Sequence, residues 1–93
     1  MSGDLVARFE TGRIVVTLNA LSKLPPYDVL CAIGRHIRGD WGDLGDEDRA
    51  ENERSLCDGN RLLSSYRATN GVKFWIITEA DRSSTTVLLP EDY

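Results

Sequence analysis

Asn70-Gly71 lies between two runs of strand-forming residues, 61–69 and 72–79, and this dipeptide constrains the chain more than any other feature. A two-residue type I′ turn needs positive φ at both central positions, which Asn and Gly tolerate, so the pair predicts a β-hairpin. In that register Thr69 opposes Val72, Arg67 opposes Phe74, Tyr66 opposes Trp75 and Ser64 opposes Ile77. A polar turn, Asp81-Arg82-Ser83-Ser84, leads to a third strand over 85–89, which Pro90 ends. Residues 61–90 therefore read as a three-stranded antiparallel meander. One hairpin face carries Leu62, Tyr66, Trp75 and Ile77, and the other carries Leu63, Phe74 and Ile76 beside Arg67 and Ser65. A half-solvated sheet has one polar face. Two readings follow: helices cover one face while the N-terminal strand and its flanks cover part of the other, or part of one face is a partner-binding or homodimer surface.

The rest of the chain supplies helices. Arg13-Ile14-Val15-Val16-Thr17 is β-branched and reads as a short strand, able to join a sheet edge. A helical turn over 18–24 is expected next, capped by Thr17. Pro26 suits a helix start, and Val29, Leu30, Ile33 and Ile37 recur at helical spacing, so a helix is predicted over 26–38, closed by Gly39. Gly34 weakens that helix and suggests a close backbone approach. A second helix is predicted over 46–58, with Asp46, Glu47 and Asp48 at its positive end and Gly59 after it. Its apolar stripe is thin, mainly Ala50, Leu56 and Cys57, so most of its girth is expected in water. The fold class is α+β, a single domain over 1–93.

Charge narrows the functional classes. The 93 residues carry a formal net charge of −4, and the acidic excess is confined to 39–58, where eight acids meet two bases. Direct nucleic-acid binding needs a basic face and is disfavoured. The acidic segment also admits a DNA-mimic inhibitor, although a solvated acidic helix has the same composition. Cys31 and Cys57 fall in different predicted helices outside any C-x-x-C pair, which favours two reduced, partly buried thiols over a disulfide. No basic n-region precedes an apolar run and no apolar run is long enough to span a bilayer, so a cytoplasmic, membrane-free protein is expected.

His36 is the sole histidine. Near a helix C-terminus it is an ordinary partner of the dipole. The sharper reading makes it a general base or metal ligand with Asp40 and Asp43, in a small metal-dependent hydrolase or nuclease-like protein. A Ser-His-Asp device drawing on Ser64, Ser65, Ser83 or Ser84 lacks a nucleophile-elbow context. One histidine and two scattered cysteines do not make a zinc set, and no cofactor motif is present: the glycine-rich stretch around Trp41 matches neither phosphate-loop pattern. Trp41 between Gly39 and Gly42 reads either as a plug packing its loop onto the core or as the anchor of a binding loop. Glu79, Asp81, Arg82 and Thr85 form a polar set that reads either as a well-capped turn, with Asp81 and Arg82 inviting an ion pair, or as a recognition site.

The strings Arg35-His36, Gly39-Asp40-Trp41-Gly42-Asp43, Glu47-Asp48, Asn52, Arg61-Leu62-Leu63-Ser64 and Tyr66, then 73–83 (Lys-Phe-Trp-Ile-Ile-Thr-Glu-Ala-Asp-Arg-Ser) and 85–93 (Thr-Thr-Val-Leu-Leu-Pro-Glu-Asp-Tyr), resemble a small bacterial family. Its members are usually described as hypothetical or plasmid-related proteins, and the resemblance spans 13–93. The family usually reads Thr-Pro-Gly-Ala-Leu where this chain has Thr17-Leu18-Asn19-Ala20-Leu21. The resemblance implies a bacterial cytosolic setting linked to mobile elements and supplies no catalytic residue. The residues favour a non-enzymatic binding or accessory module with a protein partner over the metal-dependent hydrolase and the acidic mimic.

Overall fold

The computed structural model describes residues 7–93. Strand β1 (Arg13–Val16) is followed by α1 (Leu18–Lys23), α2 (Pro26–Ile37) and α3 (Asp46–Asp58), then by β2 (Leu62–Arg67), β3 (Lys73–Thr78) and β4 (Ser84–Leu88), and last by a 3-10 turn, Pro90–Asp92. The fold is α+β, with a four-stranded sheet in the order β1-β4-β3-β2. The β2-β3-β4 meander is antiparallel, and β1 joins its β4 edge in parallel. Among the described residues no helix is long and apolar enough to cross a membrane.

Local chemistry explains the boundaries. Thr17 Oγ1 accepts from Ala20 N at 3.1 Å and starts α1. Gly39 and Gly59 adopt φ of +85° and +78°, the left-handed conformation that ends a helix with least strain. Gly34 makes no close backbone approach, contrary to expectation: a Cβ there meets only Arg38 Nη1, at 3.7 Å. As its thin apolar stripe predicts, α3 lies mostly in water, with Ala50 and Cys57 exposed. Its buried residues are the polar Asn52 and Ser55.

The hairpin forms, but one residue out of the expected register. Tyr66 faces Phe74 and Ser65 faces Trp75. Ala68 O accepts from Gly71 N at 2.9 Å, and Ala68 N donates to Val72 O at 2.9 Å. The loop is therefore Thr69-Asn70-Gly71, in which Gly71 alone has positive φ, at +88°. This is the three-residue hairpin loop that a left-handed glycine closes. The helices hold it there. Asp28 Oδ2 accepts from Thr69 N and Oγ1 at 2.8 and 2.7 Å, and Asn70 Nδ2 donates to Lys23 O at 3.0 Å. These bonds favour the longer loop over the tighter turn.

A one-residue slip moves side chains to the opposite face of the sheet. One face carries Leu62, Ser64, Tyr66, Phe74, Ile76 and Val87 and packs with Ala20, Leu24 and Ala32 of the helices, flanked by Val29 and Ile33. The other face carries Leu63, Trp75, Ile77 and Leu88, so Trp75 and Ile77 do not share a face with Leu62 and Tyr66. The N-terminal strand covers neither face, because it extends the sheet sideways.

The outer edge of β2 is closed. Asn52 Nδ2 donates to Leu63 O at 2.6 Å and Asn52 Oδ1 accepts from Leu63 N at 3.1 Å, as a neighbouring strand would. Two residues on, Ser65 N donates to Trp41 O at 3.1 Å and Ser65 O accepts from Asp43 N at 2.7 Å. One side-chain amide and one loop thus satisfy this edge.

Candidate functional site

His36 points inward from α2 and is fully buried. Its Nδ1 lies 2.6 Å from Ser64 Oγ and its Nε2 lies 2.9 Å from Thr78 Oγ1. Thr78 Oγ1 is 2.7 Å from Thr85 Oγ1, which donates to the carbonyl of Thr11 at 2.8 Å. That last bond orients the whole chain of protons. Thr85 spends its only proton on Thr11, so it accepts from Thr78, and Thr78 accepts from Nε2–H. A neutral imidazole then accepts at Nδ1 from Ser64. Burial holds His36 neutral by lowering its pKa to about 4, with the nearby Arg82 charge adding to the effect. A neutral ring has no charge to offer the helix dipole, so the dipole-partner reading of His36 is corrected.

A serine hydroxyl in contact with a histidine nitrogen invites comparison with a hydrolase. Here the third member is a threonine, and Ser64, His36 and Thr78 are all buried. The relay joins α2 to β2, β3 and β4 and ties the N-terminal segment to them. A fully satisfied network of this kind specifies how elements pack.

Asp40 and Asp43 do not join His36. Asp40 accepts from Arg35 Nε at 2.8 Å and from Nη2 at 3.2 Å, and its Oδ1 takes the Gly42 N–H at 3.2 Å. The Arg35 bond is the main reason its carboxyl titrates below the usual range. Asp43 is exposed and contributes its backbone N–H to the β2 edge. Among the described residues no group of three His, Cys, Asp or Glu side chains could hold a metal ion. The His36, Asp40 and Asp43 constellation therefore does not assemble.

Trp41 is 2% exposed. Its ring stacks on Phe9 at 6.3 Å and meets the edge of His36 at 5.8 Å, and its Nε1–H donates to Glu53 Oε2 at 2.9 Å. Arg8 holds the same carboxylate through two bonds of 2.9 and 3.1 Å, which with the indole bond lowers the Glu53 pKa. The loop is thus pinned to the body of the fold, and the indole presents no open face to a partner.

The polar set at the β3–β4 turn also disperses. Arg82 adopts φ +60° and turns toward α3, where Nη1 donates to Asn60 O at 2.7 Å and Nη2 to Ser55 O at 3.1 Å. It neutralises the negative helix end and makes no pair with Asp81. Asp81 accepts from Ser83 N at 3.0 Å, Glu79 faces Arg61 at 3.4 Å, and Thr85 is inside the relay. Cys31 and Cys57 are free and exposed, where partly buried thiols were expected. The acids of 39–58 are mostly accounted for within the fold. Asp46, Glu47 and Asp48 occupy the first turn of α3, while Asp40, Glu51 and Glu53 pair with Arg35, Arg54 and Arg8.

A largely apolar opening lies on the sheet face that carries Leu63, Trp75 and Ile77. A groove of about 220 Å³ is lined by Arg61, Leu62, Leu63, Trp75, Ile77 and Tyr93. Asp92 makes its far wall possible. It accepts from Thr17 Oγ1 at 2.7 Å, Asn19 Nδ2 at 3.0 Å and Leu89 N at 3.0 Å, so the 3-10 turn is fixed to α1 and carries Tyr93 over the sheet. Tyr93 meets Trp75 edge-on at 5.9 Å. Arg61 Nη1 donates to the Tyr93 hydroxyl at 2.9 Å, with the guanidinium 5.7 Å above the ring. Sequence reasoning did not single out Arg61, Trp75 or Tyr93 as a site, because only the true register puts Trp75 on the uncovered face. Comparison with family models, with curated proteins and with solved structures finds no match to this chain.

Proposed function

We propose that the chain is a non-enzymatic protein-binding module whose contact surface is the groove between Trp75 and Tyr93. The observation that carries this reading is that the groove is walled by two aromatic rings and aliphatic side chains, with an Arg61–Glu79 pair at its rim. At about 220 Å³ it is smaller than the sites of roughly 300–1,000 Å³ that enclose drug-sized ligands or cofactors, and it suits one or two apolar side chains of a partner. Tryptophan, tyrosine and arginine are the residue types that dominate binding energy at protein interfaces. The groups that a hydrolase would need are consumed elsewhere: His36, Ser64 and Thr78 are sealed in the relay and Asp40 serves Arg35. The partner segment expected is a peptide with an apolar anchor residue flanked by polar ones, which can engage both charges of the rim.

Selection from a random peptide library tests this. Peptides retained by the parent chain should share an apolar anchor and should lose binding at least tenfold to Trp75→Ser, which alters the half-buried wall without touching the helix-covered core. Retention of the same peptides by Trp75→Ser would overturn the assignment.

A further inference from the structure

The two edges of the sheet are finished differently. On β2, Asn52 and the Trp41–Asp43 stretch take the outward groups of Leu63 and Ser65. On β1, Arg13 N donates inward to Ser83 O and Thr17 N donates inward to Val87 O, both at 3.0 Å. Alternate residues of a strand face opposite ways, so the N–H and C=O groups of Ile14 and Val16 face outward. Among the described residues nothing pairs with them, since β1 is the last strand of the sheet. Edge strands that stay solitary carry prolines, bulges or several charges. β1 has one charge, Arg13, and two exposed apolar side chains, Ile14 at 45% and Val15 at 38%. Leu18 and Leu21 of α1 add exposures of 84% and 62% next to it.

We infer that two copies of this chain pair antiparallel along β1, about a twofold axis at Val15, to make one continuous eight-stranded sheet. The backbone pattern asks for a strand, and the four-residue length selects this one. Setting Val15 opposite Val15 of the second copy places Ile14 opposite Val16 and Val16 opposite Ile14. Those are the outward-facing residues, so every outward group of β1 exchanges a hydrogen bond, which a twofold centred on Ile14 or Val16 does not achieve. Arg13 then opposes the uncharged Thr17, so no like charges meet. The same register brings exposed Leu18 toward Gly12, which has no side chain to obstruct it. Such an interface is self-complementary, as a twofold pair requires. Because the axis is perpendicular to the sheet, the two Trp75 grooves open on one face of the joined sheet.

Sedimentation equilibrium of the full chain over a dilution series tests the pairing. The mass should rise from one chain, 10.4 kDa, to two with concentration. Val15→Lys and Val15→Glu, each placing like charges opposite one another, should stay at one chain while keeping the parental far-UV spectrum. An equal mixture of the two should return to two chains, because lysine then faces glutamate. A parent that stays at one chain throughout, variants that still pair, or a folded mixture that does not associate would each overturn the proposal. If the parent is monomeric and removal of residues 1–6 makes it dimerise, the chain's own first segment occupies the edge, and the proposal fails in that specific way. Peptide binding at Trp75 is read separately and survives any of these outcomes.

Discussion

Thr85 Oγ1 donates to Thr11 O at 2.8 Å, and this bond sets the direction of a buried proton relay that ends at Ser64. Burial keeps His36 neutral, and the bond then places its proton on Nε2. With a folded-state pKa of about 4 against an ordinary 6.5, the unfolded chain takes up the His36 proton first as pH falls. Stability is therefore full above about pH 6.5, declines by about 1.4 kcal/mol per pH unit below it, and levels off near pH 4 after losing roughly 3 kcal/mol. Urea midpoints measured across that window should show this slope. A His36→Gln variant should be flatter between pH 6.5 and 5, where the carboxylates held low by their partners have not begun to titrate. A flat parent profile would contradict a buried neutral histidine.

Trp41 links the Gly39–Asp43 stretch to Phe9, His36 and Glu53. Trp41→Ala should cost about 3–5 kcal/mol, through lost aromatic burial and an orphaned Glu53 bond. Denaturant unfolding with an unchanged midpoint would show that the indole does not anchor the loop.

Asn52 is worth more than a helix-surface residue. Asn52→Ala removes both bonds to Leu63 and leaves a partly buried N–H and C=O without partners, an expected loss of about 1–3 kcal/mol. Hydrogen exchange at the Leu63 amide should accelerate in parallel. Asn52→Asp should also destabilise, because its second oxygen cannot donate to Leu63 O.

Two glycines should respond with opposite signs. Gly34 lies in α2 with room for a Cβ, so Gly34→Ala should stabilise by about 0.5–1 kcal/mol. Gly71 also has open space, but at φ +88°, so Gly71→Ala should destabilise by roughly 1 kcal/mol or more through backbone strain alone. Thermal melts of the two variants separate a cavity argument from a dihedral one.

The helices were legible because their signals are local. Thr17 as a cap, Pro26 as a start and Gly59 as a stop each act within one turn of chain. The hairpin was legible as an element but not in register, because Asp28 and Lys23, distant in sequence, hold the turn open by one residue. That single residue decides which face Trp75 occupies, so the groove could not be read from the strands alone. Asn52 was missed for a related reason. A polar residue in a helix interior reads as a solvated position, and only the arrival of β2 reveals its edge-pairing role. For His36 the sequence offers Asp40 and Asp43 nearby and Ser64 among four serines, but nothing local selects Ser64 or points to Thr78. Its partners Ser64 and Thr78 come from strands that the sheet alone brings together.

The most direct test of the groove as the contact surface uses the two indole N–H resonances. One belongs to Trp41, buried and bonded to Glu53, and the other to Trp75, in the wall of the groove. Titration of the ¹⁵N-labelled chain with a library-selected peptide should shift the Trp75 indole and the backbone signals of Leu63 and Ile77 while leaving the Trp41 indole in place. A shift at Trp41 with Trp75 unmoved, or saturable binding that moves neither, would contradict the account.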